Sequence, residues 1–152
     1  MKKLLSILIA VILLFTITAC KKEEQINNNE EQKEQEIING ETKTMKAIIN
    51  NKEYVINLEN HETVNSLINL LPMEITMSEL NGNEKYIYLD NTLPTNSYNP
   101  NRINAGDVML YGNNCLVIFY KSFDTSYRYT KIGHIDNLED LGTGNIKVKL
   151  EK

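Results

Sequence analysis

Apolar side chains recur along this chain with two different periods. Tyr54, Ile56 and Leu58 alternate with polar residues, as a half-buried strand requires. Val64, Leu67, Ile68 and Leu71 instead fall at i, i+3, i+4 and i+7, which gathers four apolar side chains on one helical face. Asn60 or Thr63 is placed to cap that helix, and Pro72 to stop it. Strands are expected from Met45 to Asn50 and from Glu53 to Leu58, around a turn at Asn51-Lys52. Two more are expected from Met73 to Met77 and from Lys85 to Leu89, separated by Asn81-Gly82-Asn83. A Pro- and Asn-containing loop runs from Asp90 to Ala105. Asp107 to Tyr111 and Cys115 to Tyr120 then flank Gly112-Asn113-Asn114, a strong hairpin signal. Tyr127 to Gly133 and Asn145 to Glu151 complete the strands, with one helical turn expected between them from Asn137 to Leu141, ended by Gly142. Eight short strands with one or two short helices predict an all-β fold, a small barrel or sandwich rather than a parallel sheet.

The chain opens differently. Lys2 and Lys3 precede an apolar run from Leu4 to Ala19, interrupted only by Ser6, Thr16 and Thr18. A short basic start, an apolar centre and small residues at its end make a secretory signal. An uncleaved membrane helix needs about 20 consecutive apolar residues, and this run is shorter. Its last four residues, Ile17-Thr18-Ala19-Cys20, resemble the bacterial lipobox, whose cysteine receives a diacylglyceryl group and becomes the new N-terminus. Two acyl chains suffice for stable anchoring, at about 0.8 kcal/mol per buried methylene. The expected location is therefore the extracytoplasmic face of a membrane, with the protein held by a lipid anchor. From Lys21 to Thr44 the chain is mostly Lys, Glu, Gln and Asn, which bury too little apolar surface to offset the entropy of ordering. That segment reads as a disordered tether with a root-mean-square span of roughly 25–30 Å. The expected organisation is a signal over 1–19, a lipidated Cys20 and tether over 20–44, and one domain over 45–152.

Charge and cysteine content narrow the classes. The formal net charge is −4, and it becomes two units more negative once Lys2 and Lys3 leave with the signal. That acidic balance argues against a nucleic-acid partner, which would need a basic patch. With Cys20 acylated, only Cys115 remains, so neither an intramolecular disulfide nor a cysteine metal site is expected.

The middle of the chain carries a more specific signal. Leu71-Pro72-Met73-Glu74-Ile75-Thr76-Met77-Ser78-Glu79-Leu80-Asn81-Gly82-Asn83-Glu84-Lys85-Tyr86, Leu93-Pro94-Thr95-Asn96 and Ala105-Gly106-Asp107-Val108-Met109-Leu110-Tyr111-Gly112 resemble a bacterial family of cyclophilin-like domains. So do Cys115-Leu116-Val117-Ile118-Phe119-Tyr120-Lys121 and Ser126-Tyr127-Arg128-Tyr129-Thr130-Lys131-Ile132-Gly133. The resemblance runs from Met45 to the C-terminus and implies a closed eight-stranded barrel with helices covering its ends. True cyclophilins are peptidyl-prolyl isomerases with an arginine in a Phe-His-Arg setting, a Gln-Gly-Gly-Asp segment and a downstream Trp and His. The stretch from Met73 to Leu89 contains none of these, and the chain has no Trp. Arg102 and Arg128 do not match the motif position. Rotation about a prolyl bond depends on a fixed cation near the imide and an apolar pocket, and fold likeness alone does not supply them.

Among candidate residues, His61 and His134 are the only histidines, and neither has metal-ligand spacing to another His or Cys. Asp107 reads as a turn-fixing acid after Gly106 in preference to a general base, and Cys115 as a small hydrophobe in a strand. Asn81 and Gly82 read as turn residues. Glu84 and Lys85 are equally compatible with a solvated turn and with the rim of a ligand site. Tyr86, Tyr88, Tyr98, Tyr111, Phe119, Tyr120, Phe123, Tyr127 and Tyr129 cluster between Lys85 and Gly133. Some of them, with Lys121, Ser122, Thr125, Ser126 and Arg128, could line a groove, because tyrosine suits a surface that is half apolar and half wet. The expected binding set is Glu84, Lys85, Tyr86, Tyr88, Tyr111, Tyr120, Lys121 and Arg128, with no cofactor and no metal.

Three functions follow. The first is a membrane-anchored, non-catalytic module that binds a peptide, an exported protein or a small ligand. The second is a divergent peptidyl-prolyl cis-trans isomerase assisting the folding of exported proteins. The third is an accessory subunit whose barrel docks a membrane enzyme. The anchor has a direct test. Cys20→Ala should release the protein from membranes and abolish its labelling by radioactive palmitate; a wild-type chain that takes up no label would exclude the lipid.

Overall fold

Turn chemistry sets the strand boundaries. Asn50 and Asn51 both adopt positive φ, 49° and 68°, and join β1 (Thr44–Ile49) to β2 (Lys52–Leu58) as a two-residue hairpin. The turn lies one residue earlier than expected, because Asn tolerates the left-handed region and Lys52 does not. The computed structural model describes residues 43–152, and the expected signal, Cys20 and nearly all of the tether lie outside them.

After β2 comes α1 (Glu62–Ile68), capped by the extended backbone of His61 without a side-chain hydrogen bond, so neither Asn60 nor Thr63 takes that role. The helix ends before Pro72 by winding down through Leu70 and Leu71, whose N–H groups donate to the carbonyls of Leu67 and Ile68. β3 (Met73–Leu80) runs three residues longer than expected and turns through Asn81 and Gly82, at φ 57° and 69°, into β4 (Glu84–Tyr88). β6 (Asp107–Tyr111) and β7 (Cys115–Phe119) form the expected hairpin, with Gly112 at φ 62°. β9 (Tyr129–Ile135) begins two residues later than expected, and β10 (Ile146–Glu151) ends the chain's regular structure.

Eight of these strands close into an antiparallel barrel in the order β1-β10-β3-β4-β7-β6-β9-β2. A short ribbon lies outside it, made of β5 (Arg102–Ile103) and β8 (Phe123–Asp124). Neither was expected, since β5 falls within the loop that reads as irregular. No helix among the described residues is long and apolar enough to cross a membrane. The expected helical turn from Asn137 to Leu141 does not form. Asn137 takes φ 56°, outside the helical region, and the Asp140 carboxylate accepts the Gly142 N–H at 2.8 Å in a local turn.

Alternation places Met45, Ala47, Ile49, Ile56, Met77, Leu110, Leu116, Ile118, Ile132, Ile146, Val148 and Leu150 in one buried interior cluster, joined by Val64 and Leu67 of α1. A second cluster lies on the outer face of β6 and β7. It contains Met109, Cys115, Val117, Phe119 and Tyr129, covered by Ile103 and Phe123 of the ribbon. β7 is therefore buried on both faces, which accounts for its unbroken apolar sequence.

Among the described residues, Lys85 carries its charge into the barrel interior. Lys85 pairs with Ile118 across β4 and β7, is 0% exposed, and donates from Nζ to the carbonyls of Gly142 at 2.6 Å and Gly144 at 2.8 Å. Its ammonium also lies 5.1 Å from the Tyr120 ring centroid. The β9–β10 connection is thus fastened to the barrel by a cation on β4. Lys85→Ala should lower unfolding free energy by about 2–4 kcal/mol through loss of the buried stem and its hydrogen bonds. Lys85→Met, which keeps the stem, should lose less. Urea midpoints of the two variants separate stem packing from the ammonium.

Candidate functional site

The outer face of the barrel is covered by the ribbon over only part of its width. Beyond the cover lies a groove of about 330 Å³. Strand alternation supplies its walls: Glu84, Tyr86 and Tyr88 from β4, Cys115 and Val117 from β7, Tyr111 from β6 and Tyr129 from β9. Leu80, Asn81 and Asn83 at the β3–β4 turn close one side, and Phe123 and Tyr127 another. Tyr88 and Tyr127 are each 62% exposed and Tyr111 is 43% exposed, so the rings form open walls around a more buried floor.

The rings meet at steep angles. The centroids of Tyr111 and Tyr127 are 6.1 Å apart at 87°, those of Tyr111 and Tyr129 5.6 Å apart at 52°, and those of Tyr86 and Tyr88 6.0 Å apart at 83°. Such edge-to-face geometry is the favoured one for aromatic pairs. Burial pushes the carboxyl pKa of Glu84 up, and the nearby Glu79 carboxylate pushes it further. Burial also raises the Cys115 thiol, with the charge of Glu84 adding to the effect. The same two causes push the Tyr129 phenol up to about 12. The thiol therefore stays protonated and is no nucleophile at neutral pH.

The sequence-expected binding residues divide into two groups. Glu84, Tyr86, Tyr88 and Tyr111 line the groove together. Lys85, Tyr120, Lys121 and Arg128 do not. Lys85 points into the barrel, and burial pushes its amine below the usual lysine range, against the opposing charges of Glu79 and Asp140. Tyr120 is buried beneath it, with its hydroxyl 3.3 Å from Glu79 Oε1. Lys121 pairs with Asp140 at 3.4 Å, and an Arg128 guanidinium N–H donates to the Ser97 carbonyl. Arg102 pairs with Asp124 at 2.7 Å across the ribbon. Among the described residues no basic side chain lines the groove. Cys115 and Val117 were missed as lining residues, although odd-numbered positions of β7 share a face and that alternation was legible.

The histidines lie elsewhere. His61 Nε2 donates to the Lys131 carbonyl at 2.7 Å. His134 Nδ1 lies 3.1 Å from Asp107 Oδ1, while Asp107 Oδ2 accepts the Asn104 N–H at 2.8 Å. Asp107 is thus a turn-fixing acid that also faces His134 and, at 3.7 Å, Lys131. Among the described residues no group of three His, Cys, Asp or Glu is placed to hold a metal ion.

The raised pKa of Glu84 has a stability consequence. The folded state binds this proton more tightly than the unfolded chain does, so stability falls as pH rises from the unfolded towards the folded pKa. Glu84→Gln removes that loss. It should raise the thermal midpoint at pH 7 and leave it unchanged at a pH below both values, which melting curves at the two pH values would resolve.

The sequence profile of the Cyclophilin-like family matches residues 47–151, more than two thirds of the 152-residue chain. No curated protein and no solved structure matches it. The matched region spans all but the opening residues of the closed eight-stranded barrel and its outer groove, and the chain belongs to the Cyclophilin-like family.

Proposed function

We propose that this protein is a lipid-anchored binding module, displayed outside the cytoplasmic membrane, whose outer barrel groove takes a small organic ligand or a short stretch of peptide without catalysing prolyl rotation. The observation that carries the reading is the groove itself. It is concave, walled by five tyrosines, and its size falls at the lower end of small-ligand sites, roughly 300–1,000 Å³. Tyrosine offers large contact area at low entropic cost, with a hydroxyl to orient the guest. The anchor rests on the basic start, the apolar run and the Ala19-Cys20 junction. The tether expected from the composition of residues 20–44 would let the barrel reach ligands beyond the headgroup layer.

The reading without isomerase chemistry is supported by the placement of the cations. Stabilising a twisted imide calls for a fixed donor aimed at the place where charge develops. Arg102 and Arg128 are held by Asp124 and Ser97, and neither lines the groove. Glu84, the charge that does, has the wrong sign.

A protease-coupled prolyl peptide assay should show no acceleration over the spontaneous rate, and Arg128→Ala should change nothing. An acceleration that Arg128→Ala abolishes would establish the divergent isomerase instead. In parallel, ring-labelled tyrosine spectra recorded against small-molecule and peptide libraries should show perturbation confined to groove rings. Tyr88→Ala should weaken any hit about tenfold with little change in melting point, because its ring is mostly exposed; Tyr111→Ala should weaken it similarly and lower the melting point more, because that ring packs on Tyr127 and Tyr129.

A further inference from the structure

Among the described residues, Glu84 is the one charged residue lining the groove. Its setting differs from that of two other acids partly or fully shielded from solvent. Asp107 has Lys131 and His134 beside it, and Glu151 has Lys46 and Lys149. No described lysine, arginine or histidine lies within ion-pair distance of Glu84. The nearest charge acting on it is Glu79, of the same sign. A half-buried carboxylate with no counter-charge is an uncompensated cost. An anionic guest would raise that cost, and a neutral one would leave it in place.

The rings around it complete the picture. Tyr111 and Tyr127 stand at 87° to one another and Tyr86 and Tyr88 at 83°, so π-faces border the same space from more than one direction. A cation within about 6 Å of a ring centroid is attracted by that face. The fold already uses this contact three times: Lys52 lies 5.3 Å from the Tyr54 centroid, and Lys85 and Lys121 lie 5.1 and 5.5 Å from that of Tyr120. Among the described residues the groove has the rings and the acid but no cation.

We infer that the groove selects a ligand with an organic cationic head, an alkylammonium or quaternary ammonium group, seated among Tyr86, Tyr88, Tyr111 and Tyr127 beside Glu84. The inference rests on reading the groove as a binding site and names the chemistry of its guest. Glu84 supplies the counter-charge, the rings supply area and quadrupole, and Asn81 and Asn83 at the turn supply neutral polar groups for the remainder of the guest.

The test is calorimetric titration of the full-length protein in detergent. Choline is compared with 3,3-dimethylbutan-1-ol, its neutral carbon isostere, and an acetylated lysine amide with the norleucine amide. The expected result is at least about a tenfold preference for the cation within one of the pairs. The preferred pair tells whether the head comes from a small molecule or from a peptide side chain. Affinity for the cation should rise with pH, with release of a proton from Glu84 on binding, visible as a dependence of the heat on buffer ionisation. Glu84→Gln should erase most of the preference and the proton release. Tyr88→Leu, at an exposed ring whose loss does not threaten the fold, should weaken the cation more than the isostere. Equal affinity for cation and isostere, or a preference that survives Glu84→Gln, overturns the inference. If neutral ligands or prolyl peptides perturb the Tyr88 and Tyr111 rings while cations show no advantage, cation selection falls and the groove stands. If no probe of either kind perturbs those rings, both fall.

Discussion

Burial of β7 on both faces is the constraint on which the rest of this structure depends. Leu116 and Ile118 fill the barrel, while Cys115, Val117 and Phe119 project outward from the same five residues. An ordinary barrel strand would present polar side chains to water on that outer face. Here the outer face is apolar and must be covered, and the covering comes from loops. Ile103 and Phe123 meet over Phe119 and Met109 as a two-stranded ribbon, with Arg102 and Asp124 paired at its rim. The ribbon is too short to cover the full width. What it leaves open, between β4, β6 and the β3–β4 turn, is the tyrosine groove. The recess is thus a consequence of an apolar outer shelf only partly covered.

Much of the barrel was legible because local patterning and tertiary burial agree. The helix followed from Val64, Leu67, Ile68 and Leu71, and three hairpins from Asn and Gly at positions that require positive φ. Where local signals are silent, the reading failed. Nothing in Arg102-Ile103 or Phe123-Asp124 marks a strand, because each gains its partner from twenty residues away. Asn137 to Leu141 carries helix formers, yet Asn137 turns left-handed and Lys85 draws the following loop onto the barrel.

The site was legible by half for a similar reason. Period two along β4 puts Glu84, Tyr86 and Tyr88 on one face and Lys85 and Ile87 on the other. Treating Glu84 and Lys85 as neighbours on one rim overlooked that alternation. Charge made Lys85 look like a surface residue, and only the barrel's closure shows that its stem belongs to the interior and its amine to a loop. Tyr127 and Tyr129 belong to the wall through the segment after β8, where the Thr125 hydroxyl accepts the Tyr127 N–H at 3.1 Å.

The enclosed amine of Lys85 has one further implication. Acylating reagents cannot meet it while the carbonyls of Gly142 and Gly144 sit over it. The rate at which it is modified, set beside that of the exposed lysines, therefore counts how often this end of the cylinder springs open. The molecule carries its own gauge of breathing, built from a single primary amine.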